Sequence, residues 1–139
     1  MLCKVPPTAA RTPFSIPVTA TAADIDELGH VNNAVYVRWI QAVATAHWQA
    51  AARPADIARY VWVVTRHEID YLRPTLVGES LTLTTWVGMP KGARFNRLVD
   101  ISDATGRVRV RATTIWALID QATGRAVRVP PEVAAPFLA

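Results

Sequence analysis

Residues Ala34 to Ala52 read AVYVRWIQAVATAHWQAAA, a stretch without glycine or proline and heavy in alanine. Such a composition favours an α-helix, and Arg53-Pro54 ends it, because proline carries no N–H and its ring clashes with the preceding turn. The run predicts a helix of about five turns. Val35, Trp39, Val43, Ala46 and Ala50 recur at helical spacing, and Ile40, Ala44 and Trp48 widen that stripe well past an ordinary amphipathic face. A helix this apolar has to be wrapped by other elements, so the rest of the chain must supply the wrapping.

Strands follow it. YVWVVTRHEIDYL, from Tyr60, is rich in β-branched and aromatic residues. Pro74 and Gly78 then punctuate the chain, and ESLTLTTWVG alternates with Leu81, Leu83, Thr85 and Val87 on one face. The turn MPKGA leads into RFNRLVDIS, and DATG reads as a hairpin turn before RVRVRATTIWALID. In that last strand Val108, Val110, Ala112, Thr114, Trp116 and Leu118 point one way. Arg107, Arg109, Arg111 and Thr113 point the other, most simply as a solvated face. QATGRAV is a further turn. Ahead of the helix, FSIPVTA is strand-like but holds Pro17, which suits an edge position. The expected fold class is α+β: one long helix packed on a curled antiparallel sheet.

At 139 residues the chain fits one domain, and 51% hydrophobic against 19% charged residues is ample for a core. The expected boundaries are a flexible leader over residues 1–13, the domain over 14–130, and a Pro-rich tail over 131–139. No apolar run approaches the roughly 20 residues of a membrane span, and MLCKVPPTAARTP lacks a secretion signal's apolar stretch, so a cytoplasmic location is expected. Cys3 is alone and has no disulfide partner in the chain. The net charge of +4 suits an acidic or phosphate-bearing ligand. The basic residues are scattered and lack the interleaved aromatics of a nucleic-acid surface.

Just before the helix, Asp24 to Tyr36 reads DIDELGHVNNAVY. Asn32 and Asn33 stand where the helix begins, and asparagine there caps orphan backbone donors. A helix N-terminus also offers unpaired N–H groups and partial positive charge, suited to an anion or a developing oxyanion. Asp26 precedes it closely, and Gly29 permits the turn between them. A carboxylate next to such a donor pair suits acyl transfer, the acid attacking a carbonyl or activating water. Taken alone, these residues are equally ordinary caps. Asp24, Asp26 and His30 lack the tight spacing and second cluster of a metal site, so no metal is expected. Tyr36, one turn into the helix, reads first as packing.

The string DIDELGHVNNAVYVRWIQAV, with EIDYLRPTLVGESLTLTTWV and RVRVRATTIWALIDQATGRAV after it, resembles the hotdog-fold acyl-CoA thioesterases, in the branch that includes 4-hydroxybenzoyl-CoA thioesterase. The resemblance runs from about Phe14 to Pro130. Its most specific part is an acid, three residues, His-Val-Asn-Asn, two residues and Tyr, seconded by Y-x-x-P-x-x-x-G-E from Tyr71 to Glu79. It implies thioester hydrolysis of acyl-CoA or acyl carrier protein substrates without metal or redox cofactor. It makes Asp26 the catalytic carboxylate and Asn33 the residue whose backbone N–H meets the thioester oxygen. His30 and Asn32 match positions that shape the site, which makes His30 a further catalytic candidate and Asn32, with Tyr36 after it on the helix, candidates for binding the substrate. Gln41 departs from the family, where glutamate is common. The resemblance also implies pairs of subunits whose sheets join edge to edge with the active sites at the seam, and so a homodimer or homotetramer; no nucleic-acid or membrane partner is expected.

Lys91, Arg94 and Arg97 fall within one short stretch, GMPKGARFNR, after the second long strand and are candidate contacts for the carrier's phosphates, Lys91 and Arg94 foremost, with the row Arg107, Arg109 and Arg111 as a second basic group. Two other readings stand beside hydrolysis: a non-catalytic acyl-binding protein on the same fold, and a hydratase or dehydratase. Hydratases of this fold carry a D-x-N-P-x-H loop, whereas this loop is the shorter DELGH. Asp26 beside the helix start separates the hydrolase from the binding protein.

Overall fold

The computed structural model describes residues 13–138. Cys3 and all of the expected leader but Pro13 lie outside them. In chain order the elements are β1 (Phe14–Thr19), a short 3-10 turn, α1 (Asn33–Ala51), α2 (Pro54–Arg59), β2 (Tyr60–Tyr71), β3 (Ser80–Lys91), β4 (Arg94–Ser102), β5 (Val108–Asp120), β6 (Arg125–Ala126) and α3 (Pro131–Leu138). The sheet runs β1-β3-β4-β5-β2, with β6 added to β5. Every pairing is antiparallel. The helix and strands expected from composition and alternation are therefore present, and the fold class is α+β as read.

Asn32 caps α1, its side-chain oxygen accepting the Ala34 N–H at 2.9 Å. Val35, Tyr36, Trp39, Ile40, Val43, Ala44, His47 and Trp48 are buried against the sheet. The predicted stripe is thus corrected toward its C-terminal end. Ala46 is half-buried and Ala50 exposed, while Tyr36 and His47 join the inner face. Leu81, Leu83, Thr85 and Val87 all point inward from β3, as their alternation requires.

Two apolar clusters divide the core along α1. Near its start Val35, Trp39, Ile40 and Val43 meet Leu81, Leu83, Val99, Ile101 and Val110. Near its end Trp48 meets Tyr60, Val87, Phe95, Leu118, Val133 and Phe137. Ile40 is 0% exposed at the middle of the first cluster. Replacing it with alanine removes methylene groups from a packed interior, and we expect Ile40→Ala to cost about 2–5 kcal/mol in denaturant unfolding. A loss below about 1 kcal/mol would mean that the helix is not packed as described.

Three local differences have physical causes. β3 continues through Met89 and Pro90 to Lys91 instead of turning at them, and the tight turn is Gly92-Ala93. A register shift between Val87 and Pro90 absorbs the proline. The stretch expected as a tail from 131 is helix α3, with Pro131 in its first turn and Val133, Ala134 and Phe137 buried. A second short helix, α2, begins at the very proline that ends α1.

Candidate active site at the start of α1

The loop before α1 is closed by its own hydrogen bonds. Ile25 and Val31 form a β-bridge. The Asp26 N–H donates to the His30 carbonyl at 3.1 Å, and the Gly29 N–H to the Asp26 carbonyl at 3.0 Å. Gly29 has φ +87°, a left-handed conformation that costs glycine little. Oδ1 of Asp26 accepts the Leu28 N–H at 2.9 Å, while Oδ2 has no partner among the described residues. The carboxylate is thus held half-buried with one oxygen available.

The neighbouring acid has a different task. Asp24 Oδ2 accepts the N–H of Thr21 at 2.8 Å, and its other oxygen lies 3.6 Å from Arg38 of α1. The Asn32 N–H donates to the Asp24 carbonyl at 3.0 Å. These contacts fix the loop to the first turns of the helix. Within that turn Asn32 takes up the Ala34 N–H, and the Asn33 N–H has no protein acceptor among the described residues. Asp26 and Asn33 are therefore brought to one end of α1. His30 is half-buried, and its backbone carbonyl accepts the Asp26 N–H.

Tyr36 is buried, 2% exposed. Its hydroxyl donates to Thr75 Oγ1 at 3.0 Å, and burial raises its pKa. Its ring packs edge-on against Trp39 and tilts over Tyr71. This places it in the core, supporting the adjacent loop of residues 72–79, with little surface for a substrate. The Val31 N–H reaches the Thr75 carbonyl at 2.8 Å, so the two loops form one rim. Leu28, Leu72, Leu76 and Val77 are exposed along it.

The basic row on β5 is not the solvated face its alternation suggested. Arg109 is a clamp: its Nη2 meets Glu79 Oε2 at 2.8 Å, its Nε meets Asp103 Oδ2 at 3.0 Å, and its Nη1 donates to the Pro74 carbonyl at 2.6 Å. That hydrogen bond from Arg109 is the leading reason that the Glu79 pKa is lowered. Asp103 is pushed further down, first by the Thr105 hydroxyl and then by its backbone and arginine donors. Arg111 pairs with Asp100 through two bonds of 2.8 and 3.2 Å. Of the three, Arg107 is the one left without an ion pair among the described residues.

Lys91 and Arg94 face each other across the β3–β4 turn and are exposed. They are not close to Asp26 in one chain. Ala20, which leads into the loop, bonds to Glu79 at the start of β3, whereas Lys91 ends that strand. Eleven steps of about 3.3 Å put roughly 36 Å of strand between Ser80 and Lys91. A cavity of ≈ 240 Å³ lies toward the same far end, lined by Trp48, Tyr60, Trp62, Phe95 and Trp116 among others. Its walls come from three helices and four strands far apart in the chain, so no single stretch of sequence reveals it.

The description thioesterase-like superfamily matches residues 20–137. Over 74 residues, 52% of this chain, the sequence is 36% identical to an acyl-[acyl-carrier-protein] hydrolase from Cuphea viscosissima. It is 35% identical over 75 residues to a palmitoyl-acyl carrier protein thioesterase from Gossypium hirsutum. The matched segment covers 18% of the length of each of these relatives. Among solved structures, a 1,4-dihydroxy-2-naphthoyl-CoA thioesterase from Synechocystis superposes with a TM-score of 0.77 at 17% identity, covering 91% of this chain and 96% of the other. A DHNA-CoA thioesterase from Staphylococcus aureus gives 0.75 at 18% identity, covering 84% and 80%. The fold expected from the resemblance, a hotdog, is therefore the fold observed.

Proposed function

The chain belongs to the thioesterase-like superfamily, and from that premise we propose that it hydrolyses acyl thioesters of coenzyme A or an acyl carrier protein at the start of α1. The observation that carries this reading is the pairing of Asp26, one carboxylate oxygen unengaged, with the unengaged Asn33 N–H on the helix end. Asp26 attacks the thioester carbonyl or takes a proton from water that does so. Negative charge gathers on the carbonyl oxygen, and the Asn33 N–H and the helix dipole stabilise it. The carbon–sulfur bond breaks, and the thiolate leaves and takes up a proton; where Asp26 is the nucleophile, water then cleaves the mixed anhydride it has formed, so over turnover water supplies the new oxygen of the free acid by either route. Asn32 contributes by capping, which turns the Asn33 donor outward, and His30 by holding the Asp26 backbone. A panel of acyl-CoA and acyl carrier protein thioesters, followed by thiol release, tests the reading. Turnover of none of them sinks it.

A homodimer joined through β2 completes the site in this reading. β2 is an outer strand of twelve residues without proline, with Val61 and Val63 exposed. β1, the other edge, is six residues long and holds Pro17. The longer edge is the one suited to pair. Antiparallel pairing of two β2 strands about a two-fold axis sets the beginning of one beside the end of the other. The β3–β4 turn of one copy then comes to the same end of the joined sheet as Asp26 of its neighbour. That arrangement reconciles the separation of Lys91 and Arg94 from Asp26 within one chain.

Contacts to the carrier's phosphates bind ground state and transition state alike. Replacing Lys91 and Arg94 together by alanine is expected to raise KM for acyl-CoA by several-fold, about 1 kcal/mol or more, with little change in kcat. Added salt is expected to do the same to the parent. Equal KM values for parent and double variant at low salt would show that this turn does not hold the carrier.

A further inference from the structure

Arg97 is a buried cation without an anionic partner among the described residues. It stands on β4, 9% exposed, and lines the cavity at the far end of α1. Both of its side-chain hydrogen bonds use Nη1, one to His47 Nδ1 at 2.9 Å and one to Thr85 Oγ1 at 3.1 Å. The Phe137 ring lies under its guanidinium, 6.0 Å from the centroid. These partners carry no negative charge. His47 is held neutral by burial and by Arg97 itself, which lower its pKa to about 4. Burial lowers Arg97 to about 10, and it remains charged at neutral pH. Nε and Nη2 have no partner among the described residues, and the first twelve residues of the sequence contain no Asp or Glu.

A guanidinium has five donors in a planar fork that fits a carboxylate with two parallel bonds. Taking such a charge out of water costs several kcal/mol unless a counter-charge meets it. The other walls say what the counter-charge is attached to. Trp48, Ile57, Trp62, Phe95, Trp116 and Phe137 present rings and methyl groups. At ≈ 240 Å³ the cavity is somewhat smaller than the roughly 300–1,000 Å³ of drug-sized ligand pockets, which suits a compact body.

We propose that this cavity receives a compact, ring-containing apolar group that ends in a carboxylate, with Arg97 as its counter-ion. Two sources share that chemistry: the distal end of an acyl group being hydrolysed, and a free aromatic acid. The first rests on the thioesterase reading and on Asp26 of the neighbouring copy, which the β2–β2 pairing brings to this end of the sheet; the cavity's preference for the carboxylate rests on neither.

The test uses the full chain. Calorimetric titration with 4-phenylbutyrate and with its neutral isostere 4-phenylbutyramide needs no variant. The acid is expected to bind at least about tenfold more tightly, the order of a charge-assisted hydrogen-bonded pair. Arg97→Met is expected to erase that preference and Arg97→Lys to keep part of it. In parallel, kcat/KM for 4-carboxybenzoyl-CoA is compared with that for benzoyl-CoA. A preference for the carboxylated thioester that disappears in Arg97→Met assigns the cavity to the acyl group. Acid binding without any such preference assigns it to a free acid. Equal binding of acid and amide by the parent overturns the proposal, even if thioesters are hydrolysed. Preferential acid binding by a chain that hydrolyses no thioester supports the cavity and removes the thioesterase reading.

Discussion

Asp26→Asn is expected to lower the rate of thioester hydrolysis at least about a hundredfold, the low end of what a positioned general base contributes. The amide matches the carboxylate in shape, and its oxygen can still accept the Leu28 N–H that Asp26 Oδ1 accepts at 2.9 Å. The loop is otherwise tied by backbone bonds, from Asp26 to His30, Gly29 to Asp26 and Asn32 to Asp24, none of which the substitution touches. The variant should therefore unfold at nearly the parent's midpoint. What it loses is the capacity to attack or to take a proton. Near-normal turnover by a folded Asp26→Asn protein removes Asp26 from the mechanism, whatever else the chain does.

The second large effect is expected at the sheet edge. Val61 and Val63 lie on one face of β2, 42% and 49% exposed in the single chain. Replacing both with aspartate places like charges along a joined edge, where they repel directly opposite one another. An exposed substitution costs the isolated fold little. We expect the double variant to scatter light as a folded monomer and to lose at least about tenfold in kcat/KM, because each site then lacks the neighbouring copy. A parent that is itself a fully active monomer, or a monomeric variant with full activity, contradicts the shared site.

How far the sequence carried is clearest on α1 and β3. The helix was legible because glycine and proline are missing over its whole length, and β3 because Leu81, Leu83, Thr85 and Val87 alternate. The face of α1 was less so. Alanine fits either side of a helix, so Ala46 and Ala50 extend the apparent stripe the wrong way, and the polar ring of His47 hides its place on the inner face. The loop acid and the helix start needed only local order to be read, and Gly29 marks the turn between them. Long-range pairing was hidden. Arg109 looks like one of three solvated arginines until Glu79, 30 residues away, and Asp103, in the hairpin turn six residues before it, close on it. The His47–Arg97 contact joins residues 50 apart on a helix and a strand. Lys91 and Arg94 were the right kind of residue for a phosphate, but spacing along the chain does not say which end of the sheet they occupy. Helix α3 had a start signal in Pro131-Glu132, masked by Pro136 inside it.

Release of acid and thiol from one acyl-CoA, followed side by side for the parent and Asp26→Asn in water enriched in heavy oxygen, tests the central claim most directly. The account predicts equal amounts of thiol and acid from the parent, heavy oxygen in the acid's carboxylate, and release at least about a hundredfold slower from the variant. Thiol release at the same rate from both proteins, or from neither, would contradict it.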